Sequence, residues 1–382
     1  MLMKLRPIIF WSHLAVGVTA GLVILMMSVT GVLLTYERQF LEWADQQHVT
    51  SPAAGAPALT ADELLNIGRV AEPDASSFEL KFVNKPGSPV TLTADRERIL
   101  LIDPYSGDVL RDGRGATAEF FRVVTRVHRW FAASDENFDL ARATTAYSNL
   151  LFVFLILSGV YLWLPPIWRW SALKVRLFFN PRAKNAKARD YNWHHVFSVW
   201  ALVPLFLIAT SGSVFYFSWA SSAIYAAFGE EPPVRGRRGE ADAAPAGRAD
   251  TMPRQALLIA AQQHALAHEA ADWHSIKLRT NAVPAASTTF VIDRSIGRRP
   301  DLAYELTLDS GDASVVEVKR NDDKTPGARA RTFVRFLHTG EVFGFLGQTL
   351  AGLASLAGCL LAYTGIALAW RRLVSPLFRK TA

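Results

Sequence analysis

The segment FVRFLHTGEVFGFLGQTLAGLASLAGCLLAYTGIALAW (333–370) places a histidine, His338, just before a long uncharged run that begins at Val342. A run of this length exceeds the roughly 20 apolar residues that a helix needs to cross a bilayer. The segment therefore predicts a transmembrane helix with an imidazole at its mouth. A single histidine in that place is typical of a membrane interface, so its meaning depends on whether the arrangement recurs.

Long uncharged runs of this kind occur four times. They predict transmembrane helices at 8–36, 143–168, 191–229 and 342–370. Half of the residues are hydrophobic and the mean hydropathy is +0.14, which is typical of a membrane protein with polar segments. The first run follows Lys4 and Arg6, as a secretory signal would. It is too long for such a signal and ends without a cleavage site, so we expect it to stay uncleaved as a membrane anchor.

The distribution of cations predicts the topology, because lysine and arginine near membrane helices collect on the cytoplasmic side. The loop 169–190 holds seven of them against one acid, Asp190, and the tail 371–382 holds four more. We therefore expect this loop and both termini inside, and segments 37–142 and 230–341 outside. The net charge of +7 is then explained by these cations on the cytoplasmic side of the lipid membrane, and it indicates no nucleic-acid partner.

The two outward segments share one outline. In each, a helical pattern (60–70 and 252–270) precedes short alternating runs and a Ser-Gly-Asp turn, which predicts a helix on an antiparallel sheet. Stretches rich in proline and alanine at 51–58 and 230–250 are predicted to be tethers. The expected fold is a membrane bundle of four transmembrane helices with two small α+β domains. Both halves begin inside, so this is a parallel internal duplication about an axis along the membrane normal.

Four histidines recur in matching places of the two halves. His13 and His194 each precede a glycine by 18 residues, within SVTG and ATSG, whereas His128 and His338 stand before the second helix of each half. We name His13 and His194 the inner pair, and His128 and His338 the outer pair. At 1.5 Å per residue the two levels lie about 30 Å apart. His195, beside His194, is a second candidate for the inner pair.

Two imidazoles on either side of a symmetry axis can hold a planar macrocycle through its iron. Zinc is the competing ligand, but zinc sites use three or four protein ligands, and neither level offers a third. The only cysteine, Cys359, excludes a CxxCH attachment and a disulfide. The pattern therefore predicts two non-covalent haem b groups. Cations suited to haem propionates flank the outer pair at Arg126, Arg129 and Arg335.

The motifs HTGEVFG (338–344) and SGVYLW (158–163), with an Asp-Pro-Tyr-Ser-Gly-Asp turn at 103–108, resemble the PepSY-associated transmembrane family over residues 8–372. Within that family the chain is similar to ferric-siderophore reductases of the ferrioxamine or hydroxamate type in the inner membrane of Gram-negative bacteria. The resemblance implies haem b, periplasmic outer segments and reductive release of iron. An electron from a cytoplasmic reductase or quinol would pass from the inner to the outer pair and reduce a ferric siderophore.

Other functions stay open on the sequence alone. A diheme quinol-linked cytochrome with another acceptor would use the same residues, and a siderophore or iron transporter would show interrupted helices with polar groups at mid-membrane. A structural or protease-regulating protein would hold no pigment. His264 and His268, four residues apart on a predicted outer helix, form either a metal pair or a solvated face, and His48 is interpreted as a tether residue.

Overall fold

The computed structural model describes residues 2–48, 57–95, 97–233, 251–268, 270–281 and 285–379. Most of the two predicted tethers falls outside these ranges. The described helices are α1 (Leu2–Leu34), α2 (Glu37–Gln46), α3 (Ala61–Ala71), α4 (Gly115–Trp130), α5 (Phe138–Trp163), α6 (Trp170–Leu177), α7 (Ala186–Trp200), α8 (Leu202–Ser213), α9 (Ser218–Ala226), α10 (Arg254–Ala267), α11 (Pro326–Leu337), α12 (Gly344–Leu373) and α13 (Ser375–Arg379). The strands are β1 (Ser77–Val83), β2 (Val90–Ala94), β3 (Arg98–Ile102), β4 (Val109–Asp112), β5 (Ser275–Asn281), β6 (Ser287–Asp293), β7 (Ala303–Asp309) and β8 (Val315–Arg320).

These elements form two compact units. The helical unit comprises residues 1–36, 121–224 and 333–382, and the sheet unit comprises residues 37–120 and 225–332.

The helical unit is a bundle with α1 and the α7–α8 segment at opposite corners. α1 packs against α5 and α12, and α7 and α8 pack against the same two helices. Three helical segments, Leu5–Leu34, Asp135–Trp163 and Glu341–Phe378, are long and apolar enough to cross a membrane. The pair α7 and α8 supplies a fourth span if the two helices count as one.

The third predicted span, 191–229, is not one continuous helix. α7 and α8 meet at an angle of 69°, and α9 is a separate short helix. Pro204, the third residue of α8, explains the break, because its ring would clash with the carbonyl of Trp200 four residues earlier in a continuous helix. Prolines also end the second span early: α5 stops at Trp163, just before Pro165 and Pro166.

The sheet unit contains one eight-stranded antiparallel sheet, in the order β4-β3-β2-β1-β5-β6-β7-β8. Six of the strands match the alternating runs in the sequence, and β4 and β8 follow the two Ser-Gly-Asp turns, but the expectation of two separate domains is corrected. β1 pairs with β5 from Ser77↔Asn281 to Val83↔Ser275, so each outer segment supplies half of one sheet. Two separate four-stranded sheets would each leave an unpaired edge here, and the β1–β5 pairing removes both edges.

The two halves also share one hydrophobic core. Leu64 and Leu65 of α3, and Leu257 and Leu258 of α10, pack in a single cluster with the inward side chains of both sets of strands. The two helix starts are joined by reciprocal caps. The Asp62 carboxylate accepts from the first two backbone N–H groups of α10, and a side-chain oxygen of α10 accepts from the first N–H of α3.

Candidate functional site

Each of the four predicted histidines in the helical unit directs Nδ1 toward a hydroxyl on another helix of the bundle. The pairs are His13–Ser158 at 2.8 Å, His128–Thr30 at 2.8 Å, His194–Thr364 at 2.9 Å and His338–Ser211 at 3.4 Å. In all four cases the hydroxyl residue is followed by glycine. The site is thus one local arrangement built four times, by helices that pair within each half of the chain.

The hydroxyl groups define which imidazole nitrogen carries the proton. Each hydroxyl donates its single hydrogen to the carbonyl four residues earlier in its own helix, at distances of 2.7 Å for Thr30, 2.7 Å for Ser158, 2.5 Å for Ser211 and 2.7 Å for Thr364. The hydroxyl oxygen can then only accept from the imidazole, so Nδ1 carries the hydrogen. Nε2 is left with a lone pair, which is the state in which a histidine binds a metal.

The glycine after each hydroxyl lets an imidazole approach the helix backbone. A Cβ at Gly31, Gly159 or Gly365 would lie 3.9, 3.5 and 3.4 Å from the Cε1 of its histidine, which is ordinary contact. A Cβ at Gly212 would lie 3.1 Å from Cε1 of His338, which is too close without movement. Glycine is therefore required against the ring itself only at position 212.

His338 differs from the other three in its strongest acceptor. Its Nδ1 donates to the Ile208 carbonyl at 2.9 Å, and a carbonyl can only accept, so the same tautomer results. Burial, with a smaller contribution from the charge of His338, lowers the pKa of His128 to about 4, and burial also lowers the pKa of His338. Both imidazoles of the outer pair are neutral at pH 7, as metal ligation requires.

The ring separation of the outer pair matches that of two imidazoles bound to one metal ion. Two imidazoles that bind one metal from opposite sides, through bonds of about 2 Å, have ring centroids about 6.3 Å apart. The rings of His128 and His338 are 6.4 Å apart, with 62° between their planes. The donor set, two neutral imidazoles with Nδ1 occupied, also suits axial ligation of haem.

The two histidines of the inner pair come from opposite corners of the bundle. His13 is on α1 and His194 is on α7, and these helices face each other across α5 and α12. Thr30, which holds His128, follows His13 by 17 residues on α1, so the two levels are about 25 Å apart along that helix.

His195 is placed differently from His194. Its Nδ1 donates to the Tyr191 carbonyl of its own helix at 2.8 Å, and its ring lies 4.2 Å from the Tyr191 ring. Its hydrogen bond stays within α7, whereas His194 is oriented by α12. The repeated arrangement of histidine and hydroxyl on another helix therefore includes His194 and not His195.

Arginines gather near the outer pair. Burial and the positive charges of Arg142 and Arg335 lower the pKa of Arg129, so Arg129 is repelled by both of these guanidinium groups. An anion such as a propionate would relieve that repulsion. Arg126, a predicted propionate partner, instead donates to the Ala132 carbonyl at 3.1 Å. Sequence reasoning missed Arg142, whose only sequence signal is its place near the start of α5.

The predicted pair His264 and His268 forms a stacked contact in the sheet unit. Their rings are 4.0 Å apart and nearly parallel, with His264 Nδ1 near the Tyr304 hydroxyl and His268 Nδ1 on the His264 carbonyl. Among the described residues, no group of three or more histidine, cysteine or acidic side chains is placed to hold a metal ion.

The spans and the sheet together define a multi-pass membrane protein with a polar α+β portion. A family model for the PepSY-associated TM region matches residues 10–372. The chain therefore belongs to the PepSY-associated transmembrane family. A comparison with curated proteins finds no match.

Proposed function

We propose that this protein is a diheme b-type reductase of the bacterial inner membrane that delivers electrons to a periplasmic ferric siderophore. The observation that carries the proposal is one arrangement that occurs four times, at two levels. In each case a histidine directs Nδ1 toward the hydroxyl of a Ser/Thr-Gly pair, and that hydroxyl donates to a carbonyl of its own helix. A single interfacial histidine needs no such orientation. Four histidines of one tautomer, in two pairs, match the requirement of two bis-histidine haems.

The chain's own residues would orient and hold the ligands. The hydroxyls of Ser158 and Thr364 would fix the rings of the inner pair, while Thr30 and the Ile208 carbonyl would do so for the outer pair. Hydrogen bonds to Nδ1 also increase the basicity of Nε2. Bound haem would supply reversible one-electron transfer at each level.

The proposed chemistry needs a two-electron donor and a one-electron acceptor. One quinol, or an equivalent cytoplasmic reductant, loses two electrons and reduces two ferric chelates, with the two quinol protons released. Hydroxamate oxygens are hard ligands that hold Fe(III) much more tightly than Fe(II), so one electron per chelate loosens the metal. The cation-rich loop 169–190 and tail 371–382 support a cytoplasmic placement of the inner pair.

The arginines near the outer pair support haem binding there. Arg129, Arg142 and Arg335 come from α4, α5 and α11, and the repulsion of Arg129 by the other two would favour a bound dianion at that level. The two carboxylates of a haem would provide it.

The break between α7 and α8 does not favour a transporter. Ala201 and Leu205 at the break lie in a hydrophobic cluster with Ala354 and Ala357 of α12, whereas a transport site would place polar groups there. α1, the counterpart of α7 and α8 in the first half, is one helix from Leu2 to Leu34. A diheme cytochrome with another acceptor remains the alternative that the experiment must separate.

The test begins with haem quantitation and spectra of the purified protein. We expect two haem b per chain, low-spin in both oxidation states. The reduced protein should be reoxidised by ferrioxamine, with Fe(II) appearing in a ferrous-specific trap, and His338→Ala should abolish this while leaving the inner haem spectrum unchanged. One haem or none would refute the diheme proposal. Two haems with no reaction toward the chelate would indicate the cytochrome alternative.

A further inference from the structure

Among the four Ser/Thr-Gly pairs, the one that faces His338 lies at the very end of its helix. α8 ends at Ser213, one residue after Gly212. α1 continues three residues past Gly31, α5 four past Gly159, and α12 eight past Gly365. The Ser211, Gly212 and Ser213 carbonyls that end α8 accept from backbone N–H groups of the following turn, Val214 to Phe217, so these bonds tie the helix end only to its own chain.

Two side chains from other segments add hydrogen bonds to the end of α8. His338 Nδ1 bonds the Ile208 carbonyl, and Asn149 Nδ2, from α5, bonds the Ala209 carbonyl at 2.8 Å and Ser213 Oγ at 3.1 Å. Asn149 is buried, with 8% of its surface exposed. Both hydrogens of its amide are therefore used on the turn that orients His338.

Asn149 also bounds the space around the imidazole. A Cβ at Gly212 would lie 3.4 Å from the Asn149 amide and 3.1 Å from Cε1 of His338. The amide and the imidazole thus pack over the same glycine.

The other half of the chain offers a natural comparison. Asn149 precedes Gly159 by ten residues on α5, and Ser355 precedes Gly365 by ten residues on α12. The Ser355 hydroxyl lies 3.1 Å from the Cβ position of Gly31, the glycine that faces His128. The two positions are therefore equivalent in place, but only the asparagine supports a helix end.

We propose that Asn149 is a positioning residue for His338: it holds the last turn of α8 and thereby sets the orientation of one axial ligand of the outer haem. The inference rests on the proposed binding of haem by His338. It predicts that the two faces of the outer haem are unequal, with the His338 side dependent on Asn149 and the His128 side independent of Ser355.

The first test needs no haem. Hydrogen exchange in a peptide covering 208–217 should be roughly tenfold faster in Asn149→Leu than in the parent chain, because a buried hydrogen-bonded turn has lost its donor. Ser355→Ala should leave exchange in the peptide 27–36 unchanged. Ser213→Ala, which removes only one of the two partners, serves as a milder variant if Asn149→Leu does not fold.

The second test reads the outer haem. In Asn149→Leu, a fraction of that haem should become five-coordinate and bind carbon monoxide, with the inner haem unaffected; Ser355→Ala should show neither change. Equal changes at both haems would mean a general packing role and would overturn the inference. So would normal exchange and no carbon monoxide binding in a variant that retains two haems. A parent protein without haem would refute the proposed function instead, and exchange would still decide the role of Asn149 in α8.

Discussion

Ser158→Ala and Ser211→Ala are the same substitution in two of the four Ser/Thr-Gly pairs, one at the inner level and one at the outer level, and we expect very different results. Ser158 is the acceptor for His13 Nδ1 at 2.8 Å. The Ser211 hydroxyl lies 3.4 Å from His338 Nδ1, which also donates to the Ile208 carbonyl at 2.9 Å. That hydrogen bond to the carbonyl remains when the hydroxyl is removed. The first change leaves an imidazole without its orienting bond, and the second does not.

The expected size follows from the bond that is lost. Removing a partner that orients a metal-bound histidine typically costs 10- to 100-fold in affinity, or about 1.4–2.7 kcal/mol. We expect Ser158→Ala to weaken inner-haem binding by that range. Ser211→Ala should weaken outer-haem binding by less than about threefold, because a hydrogen bond to a carbonyl remains.

The assay is transfer of haem from each variant to an excess of a haem-acceptor protein, followed separately at the inner and outer haem absorption bands. Thr19→Val is the matched control, since Thr19 is on α1 and back-bonds to the Ala15 carbonyl at 3.2 Å but faces no histidine. Equal losses in Ser158→Ala and Ser211→Ala, or a loss in Thr19→Val, would refute the orienting role of the hydroxyls.

Further predictions concern the ligand register and the stability of each unit. His194→Ala should empty the inner site and His195→Ala should leave it filled, as read from haem content; the reverse would reassign the ligand. Gly340→Ala should destabilise the protein by at least about 2 kcal/mol, seen as earlier thermal unfolding, because φ is +74° and the new Cβ would overlap the Gly347 carbonyl. Asp62→Ala should cost about 1–3 kcal/mol, measured by urea unfolding followed at the sheet, since two backbone N–H groups of α10 lose their acceptor. Unchanged unfolding in either variant would contradict the stated role.

Periodicity predicted the local elements because helix and strand patterns are written within short stretches. The long apolar runs became α1, α5 and α12, and six of the eight strands lie in the predicted alternating runs, while β4 and β8 follow the predicted Ser-Gly-Asp turns. The break at Pro204 also had a local signal, a proline in the middle of a predicted span, which the count of apolar residues concealed.

Contacts between distant segments could not be read in this way. The spacing of 18 residues from His13 to Gly31 on α1 indicated a repeat, but it linked a histidine and a glycine that belong to different sites. His13 packs over Gly159, and Gly31 faces His128. Spacing along one helix measures height within the membrane, whereas partners at one height come from different helices. Arg142 was missed for the same reason, because only the packing of α4, α5 and α11 brings it near Arg129.

The pairing of β1 with β5 has a consequence for how the chain is made. About 200 residues separate the two strands, and α5, α7 and α8 lie between them in the sequence. At 5–20 residues per second, β1 is synthesised roughly 10–40 s before its partner. During that interval the first outer segment has one unpaired strand edge, along β1 from Ser77 to Val83, and only part of its core. Maturation of the sheet therefore has to wait until α7, α8 and the second set of strands have been made, and a chain that stalls between α5 and β5 exposes a strand edge that is open to aggregation.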